Sequence, residues 1–485
     1  MKIIIFKASI EKQTYRSKQC LTHRKNSKNY GETLMVALQR LDDYLTDYQY
    51  FFKNKTKKFF DKAEKYSKGI FLSRERNIER ICESHHDTEY YRMQHFISDS
   101  NWDARGVIDK SAIGTSHALP KQKLTGLIID ETGTVKKGDK SVGVGWQYCG
   151  NVGKTANSQV AVMACLSNGD FASMVDARLY LPQGWCSDKK RCDEAKIPDE
   201  NRVFKTKAEL AFEMVQHQLQ LGVEFDFVGA DGLYGNDVEL ADKLDGLGCL
   251  YMLDVHRDQP IFLEKPQWHV PPKKGNAGRK PQIEKPNQPS LRVDEYCKAL
   301  DKEDWEEIKV RNTAKGKLKG MYHFCPVFIL NKTRRSFKKR LLVIRKTKTK
   351  KGEEVKYSFT NANLAQYTEK ALAYMQAQRF FVEHCIKESK SVLGMDQFQT
   401  RKWQAWQHQV ALNIMISGFL LKEKLLCFND LPLLSAADIR EWLCFKMLQT
   451  RTDEEMIELM FFRHLRRQQD INRYYKTDEL INVSK

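Results

Sequence analysis

Two apolar runs in this chain each end on a single carboxylate. GLIIDETG leads from Gly126 through three aliphatic residues to Asp130, and FDFVGADGLYG leads in the same way to Asp231. Short runs of Leu, Ile, Val and Phe bounded by Gly and Asp are the signature of buried strands. A charge at the end of such a strand is costly unless something compensates it. In a sheet with helices on its faces, functional side chains gather at the carboxyl ends of strands. Turn or helix-cap roles would explain each aspartate separately. A shared divalent cation would explain why there are two.

The surrounding pattern predicts an α/β fold. KLTGLIID, KSVGVGWQYCG and NSQVAVMACLSNGDFASMVDARLYL read as strands separated by Gly, Asn and Asp turns. A helix over Lys207 to Leu221 follows, then the strand FDFVGAD, a helix over Asp237 to Leu247, and the strand CLYMLDV. This order describes a mixed sheet flanked by helices. Upstream, residues 31–99 show apolar positions three and four apart, with Ser73 as an expected N-cap. The expected division is a basic helical DNA-binding region over 1–115 and a first core segment over 116–255. A β-rich basic insertion with its own small sheet follows over 256–355, then a second core segment over 356–425 and a helical region over 426–485.

Charge points to a polyanion. The formal net charge is +19, and its excess is confined to two blocks. Residues 1–70 hold 16 Lys/Arg against 7 Asp/Glu, and residues 301–351 hold 17 against 5. Two basic blocks suit two nucleic-acid-contacting surfaces; solubilising charge or a tail is the alternative. The 12 cysteines lack paired spacing, and neither CSDKKRC nor CESHH completes a zinc pattern. MKIIIFK is short for a signal peptide, and VALNIMISGFLL falls short of the roughly 20 residues a bilayer span needs. A cytoplasmic chain with no membrane association is expected. CGNVGKT has Tyr148 where a phosphate-binding loop needs its first glycine, so no nucleotide cofactor is expected.

A third acid would complete a site for hard cations. In QRFFVEHCIKESK, taking about 100° per residue from Arg379, Glu383 falls near 40° and Lys390 near 20°, while Glu388 falls on the opposite side. The helix thus selects Glu383. A solvated Arg–Glu pair is the plainer explanation, but it leaves the flanking Phe380, Phe381, Val382 and Ile386 unexplained. Downstream, Trp403, Trp406 and Val410 read as core packing of a helix against the sheet.

Three stretches together, LIIDETGTVKKGDKSVGVGWQYCGNVGKTANSQVAV, FVGADGLYG and RFFVEHCIKESKSVLGMDQFQTRKWQAW, resemble the DDE transposases of bacterial insertion sequences. The branch resembled carries a Tyr-x2-Arg-x3-Glu-x6-Lys signature, whose last three slots hold Arg379, Glu383 and Lys390. The Tyr slot holds Gln376, a departure that puts the branch's hairpin step in question; Tyr374 is near but out of register. The resemblance implies an RNase H-like core with Asp130 on the first strand, Asp231 after the fourth and Glu383 on a later helix. It implies that those three acids hold two Mg²⁺ ions, with Mn²⁺ equally suited to oxygen ligands. In-line phosphoryl transfer would then cut and join DNA strands. Arg379 and Lys390 would contact DNA phosphates. The implied partners are double-stranded DNA, as element terminal inverted repeats and target, and a second copy of the chain when two ends are held together. Trp305, in the insertion, is a candidate base-stacking residue, with a core role as the plainer alternative. A metal-dependent nuclease without strand transfer and a non-catalytic DNA-binding relative are the competing functions.

Overall fold

The computed structural model describes residues 33–448, apart from 86–87, 273–278, 280, 314–315, 350–351 and 430. The basic first 30 residues and the expected helical region beyond 448, including the basic stretch RHLRRQQDINRYYK, lie outside the described residues.

Ten strands form one sheet. They are β1 (Gly126–Val135), β2 (Gly145–Cys149), β3 (Lys154–Ser167), β4 (Ala172–Leu179), β5 (Phe227–Ala230), β6 (Tyr251–Val255), β7 (Glu306–Thr313), β8 (Gly316–Asn331), β9 (Ser336–Thr349) and β10 (Gly352–Thr360). Their spatial order is β7-β8-β9-β10-β6-β5-β1-β3-β2, with β4 also pairing with β3. β1 runs antiparallel to β3 and parallel to β5, and β5 runs parallel to β6. The five strands β4-β3-β1-β5-β6 therefore carry the first strand at the centre and the two parallel strands on one side. This mixed sheet flanked by helices is the architecture the resemblance implied.

Alternation along β1 divides the core. Ile128 faces one apolar cluster, while Leu127 and Ile129 face the other. The second cluster is covered by α6 (Lys207–Gln220) and α7 (Val238–Gly246) through Ala211, Met214, Val215, Leu240 and Leu244. Thr206 and Glu209 form a capping box that fixes the start of α6. The first cluster is covered by α8 (Glu369–Ala377), α9 (Phe380–Ser391) and α10 (Trp403–Leu426). α10 is buried on every side, as expected for a helix apolar all round. Trp403 and Trp406 belong to that packing.

The N-terminal helices α1 (Ala37–Thr46), α2 (Phe60–Leu72), α3 (Ile78–Glu83), α4 (Tyr90–Ser98) and α5 (Ala104–Ala118) share this core. Tyr44 donates to the Met415 carbonyl at 2.9 Å, and Arg40 pairs with the buried Glu423 at 2.5 Å. Ser73 does not begin a helix: it closes α2 as its C-cap, and Asn77 caps α3 by accepting from the Arg80 amide at 3.0 Å. The stretch Ser73–Asn77 interrupts the helical pattern because Ser73 adopts an extended conformation.

A second difference concerns the insertion. Its four long strands do not form a sheet of their own. β10 pairs with β6, Ser358 opposite Asp254, so the insertion extends the core sheet. The unpaired edge of β6 supplies the ladder that the strand pattern alone does not reveal. Trp305 lies against a small insertion core with the Lys346 ammonium 3.8 Å from its ring, which is the packing role. No described helix is long and apolar enough to cross a membrane.

The insertion is also tied down by buried charge. Arg340 on β9 reaches Asp242 at 2.8 Å and Asp245 at 2.6 Å, both on α7, and Asn331 donates to Asp242 at 2.8 Å. Arg340 and Asp242 are almost fully buried. Replacing one partner would strand the other charge, which costs about 3–5 kcal/mol. Arg340→Met is expected to lower stability in urea denaturation by that amount, with Arg340→Met/Asp242→Leu recovering much of it. An unchanged midpoint for the single variant would show that the cluster does not fasten the insertion.

Candidate active site

The register of three parallel strands builds the site. The last paired rung across β1, β5 and β6 is Ile129, Ala230 and Leu253. One residue further, at the carboxyl end of that rung, stand Asp130, Asp231 and Asp254. Asp130 and Asp231 were expected here, Asp254 was not; β1 does not stop at Asp130 as its apolar run suggests but continues to Val135 along β3, and it is β5 that ends before Asp231. Asp231 caps the single helical turn Gly232–Gly235 by accepting from the Leu233 amide at 3.0 Å. That turn presses on β6: a Cβ added to Gly235 would stand 1.8 Å from the Asp254 carbonyl oxygen, so only glycine allows the approach.

Asp130, Asp231 and the neighbouring Glu131 each offer an oxygen within 4.8 Å of the other two. Strand alternation sends Glu131 to the face opposite Asp130, where Lys207 pairs with it at 3.1 Å. Its second oxygen is buried without a hydrogen-bond partner. Glu131 was missed in the sequence for that reason, since neighbours on a strand are assumed not to share a site. Glu383 lies outside this tight group. It lines the same cavity of about 650 Å³, together with Lys390 and Tyr148, and its side chain is half exposed.

Arg379 joins the parts. Its Nη1 lies 2.7 Å from Glu383 Oε1 and 3.7 Å from Asp130 Oδ2, so those two carboxylates can be no farther apart than the sum of these lengths. Its Nε lies 2.9 Å from Asp254 Oδ2, a close ion pair although the N–H is not aligned on that oxygen. Behind Asp254, Ser358 Oγ donates to Asp254 Oδ1 at 2.6 Å, and Gln376 Nε2 donates to Ser358 Oγ at 2.9 Å. The residue in the Tyr slot is thus turned into the core, 4% exposed, at the start of a chain leading to Arg379. Tyr374 turns elsewhere and donates to the Asn168 carbonyl. Lys390 donates to the Gly133 carbonyl at 3.0 Å, which fastens α9 to β1.

Electrostatics follow from burial. Burial, with Asp231 and Glu131 beside it, pushes the Asp130 carboxyl up to about 7, against the pull of Arg379. Burial and Glu131 also raise Asp231, and burial raises Asp254 despite Ser358 and Arg379. Burial opposes the Arg379 charge, but Asp254, Glu383 and Asp130 outweigh it and its pKa rises. Burial lowers Lys390. The cluster therefore holds more negative charge than one guanidinium balances. With all-oxygen donors and an unpartnered Glu131 oxygen, it fits a hard divalent cation.

A family model described as a DDE superfamily endonuclease matches residues 51–317, more than half of the chain. The chain belongs to this family. The match includes Asp130, Glu131, Asp231 and Asp254 and stops before Arg379 and Glu383. This chain is also 32% identical over 179 residues to the probable transposase for insertion sequence element IS701 of Microchaete diplosiphon. That alignment covers 37% of this chain and 43% of the relative, less than half of its length. Among solved structures, a piggyBac transposase synaptic complex with hairpin DNA overlaps 88% of this chain and 84% of its own, at a TM-score of 0.33 and 11% identity. That overlap is too distant to inform the fold.

The raised Asp130 carboxyl gives a signed expectation. Its folded pKa, about 7, exceeds an unfolded value of about 3.9. Between these the folded chain holds a proton that the unfolded chain releases, so stability falls as pH rises through this window. Chelator-treated protein is expected to lose on the order of a few kcal/mol from pH 4 to 7 through this group. Added Mg²⁺ or Mn²⁺ is expected to raise the thermal midpoint more at pH 8 than at pH 6, because ligands bind deprotonated. Asp130→Asn should remove most of that difference; a midpoint shift that ignores both pH and this substitution would break the link.

Proposed function

We propose that this endonuclease is an insertion-sequence transposase that binds the ends of its element and cuts and joins DNA strands at Asp130, Asp231 and Glu383. The carboxylates that follow the last rung shared by β1, β5 and β6 are the observation that carries this reading. Asp130 and Asp231 each follow the last pair of the β1–β5 ladder and bring oxygens within 4.8 Å of each other, and Glu383 is reached through a guanidinium that also contacts Asp130. The similarity to the IS701 transposase supports transposition as the use of the site.

Asp130, Asp231 and Glu131 would bind divalent ions, with Glu383 joining once it turns from Arg379. Two such ions would activate a water or a DNA 3′-hydroxyl and stabilise the leaving oxygen of an in-line displacement. Mg²⁺ and Mn²⁺ both suit the oxygen donors. No side chain is asked to act as nucleophile. Arg379 has a second task. Held at Nε by Asp254, it can turn its remaining N–H groups from Glu383 and Asp130 to the phosphate. Lys390 adds a positive charge on the same side of the cavity. Because Gln376 is occupied with Ser358, excision here makes no base or phosphate contact through the Tyr slot. The DNA partners are the terminal inverted repeats and a target duplex, and holding two ends together calls for two copies of the chain.

The test is a labelled duplex bearing the element ends, incubated with a plasmid target. Asp231→Ala and Glu383→Ala should each reduce Mg²⁺-dependent cleavage by at least about a thousandfold, in line with losing a principal charge-stabilising group, while end binding persists. Cleavage that survives Asp231→Ala would sink the assignment. Cleavage without any joining to the plasmid would identify a nuclease instead.

A further inference from the structure

Two aromatic side chains stand in solvent on the face of the sheet that carries Asp130. Trp146 is 80% exposed and Tyr148 62% exposed, both on β2. Strand register fixes their direction. Asp130 pairs with Met163 and Thr132 with Ala161 across β1 and β3, and Trp146 pairs with Asn157 and Tyr148 with Thr155 across β2 and β3. Cross-strand partners share a face, and so do alternate residues of β3 from Thr155 to Met163. Trp146, Tyr148 and Asp130 are therefore on one side.

The hairpin that bears them is anchored. On its other face Cys149 is buried, and Gln147 donates to the Ser158 carbonyl at 2.7 Å. At its tip Asn151 donates at 2.8 Å to the Gly133 carbonyl, the same oxygen that accepts from Lys390. The tip and α9 thus meet on one atom of β1. Tyr148 lines the cavity that also contains Asp130, Asp231, Glu383, Lys387 and Lys390. Exposed Lys137 lies in the connection before β2, and Lys387 and Lys390 are on the cavity's α9 side.

Nothing in packing or folding calls for a tryptophan and a tyrosine in water on an anchored strand. Flat apolar rings among lysines beside a phosphate-handling site suit one occupant. We propose that Trp146 and Tyr148 form a shelf on which unpaired bases of the DNA strand stack, next to the phosphate held at Asp130 and Asp231. Paired bases in a duplex hide their faces, whereas unpaired bases offer them to aromatic rings. The shelf selects a frayed or already cut end over an intact duplex and aligns its terminal nucleotide with the acids. The inference rests on the transposase reading and adds to it the form of the DNA end that the site takes.

The test uses the full chain and two probes, a blunt duplex and the same duplex with a short single-stranded 3′ overhang carrying 2-aminopurine. Stacking on a ring should quench the 2-aminopurine fluorescence of the overhang probe. Trp146→Ala and Tyr148→Ala should each weaken overhang binding on the order of tenfold and relieve the quench, with blunt-duplex affinity unchanged. Trp146→Leu, which keeps apolar area without an aromatic face, should behave like Trp146→Ala, whereas Trp146→Phe should retain much of the quench. Unchanged overhang affinity and quench in the Trp146→Ala/Tyr148→Ala double variant, folded by circular dichroism, would overturn the shelf. Asp231→Ala separates the two claims: it should abolish cleavage and leave the quench intact. Cleavage surviving in Asp231→Ala would sink the site reading, whereas a quench unmoved by the ring variants sinks only the shelf.

Discussion

One guanidinium holds the site together. Arg379 faces Asp130, Asp254 and Glu383 at once, in surroundings where burial raises the pKa of the first two. A buried charge is tolerable only when paired and hydrogen-bonded. Arg379 does not offset the crowding of Asp130, Asp231 and Glu131, whose neighbours and burial keep the Asp130 and Asp231 carboxyls raised. That imbalance is what a site for cations and phosphates needs. It attracts divalent ions, and the ions in turn would free the arginine for DNA. A fully neutralised cluster would be more stable and would bind nothing.

The sheet places the acids, and the insertion locks the base. Ile129, Ala230 and Leu253 end on one rung, so the next residues converge without further design. Arg379 comes from a helix packed on that face, and its orientation depends on Asp254. Asp254 in turn is bonded by Ser358 on β10, the strand through which the insertion rejoins the core sheet. The insertion strands therefore reach the charge network through the Ser358 hydroxyl and through Arg345 and Lys356, whose charges also act on Asp254. The buried Arg340 cluster fastens the same insertion to α7.

Much of this was legible from the chain alone. Asp130 and Asp231 stood out because a short apolar run ending on an acid has few structural explanations, and helical spacing picked Glu383 over Glu388. The order of strands and helices followed from periodicity and turn residues. Asp254 carried the same signal and was passed over because its run, YMLDV, continues to Val255 and does not stop on the acid. Glu131 was hidden by the rule of alternation, which fails where a neighbouring strand ends early and both faces open onto one cavity. The merging of the insertion into the core sheet was also hidden. Pairing between β10 and β6 joins residues about a hundred positions apart, and no local pattern encodes such a ladder. Ser73 misled because serine favours either side of a helix boundary by the same side-chain chemistry.

Gln376 shows how a departure from a signature can be informative. A tyrosine in that slot would bring a ring and a hydroxyl; the glutamine brings an amide that fits among buried strands. Its Nε2 donates to Ser358 and lies 3.4 Å from the Val343 carbonyl. A single buried donor thus joins β9 and β10 to the end of α8, the helix just before Arg379 and Glu383. In this chain the slot positions Arg379 through Ser358 and Asp254. If the Tyr slot no longer presents an aromatic face, another element must supply it wherever an unpaired base has to be held. Among the described residues, β2 offers that face on the acid side of the sheet, where two rings stand in water within an anchored hairpin. The absence of a ring at Gln376 and the rings at Trp146 and Tyr148 would then be two sides of one arrangement, in which positioning comes from the buried end of α8 and stacking from the sheet.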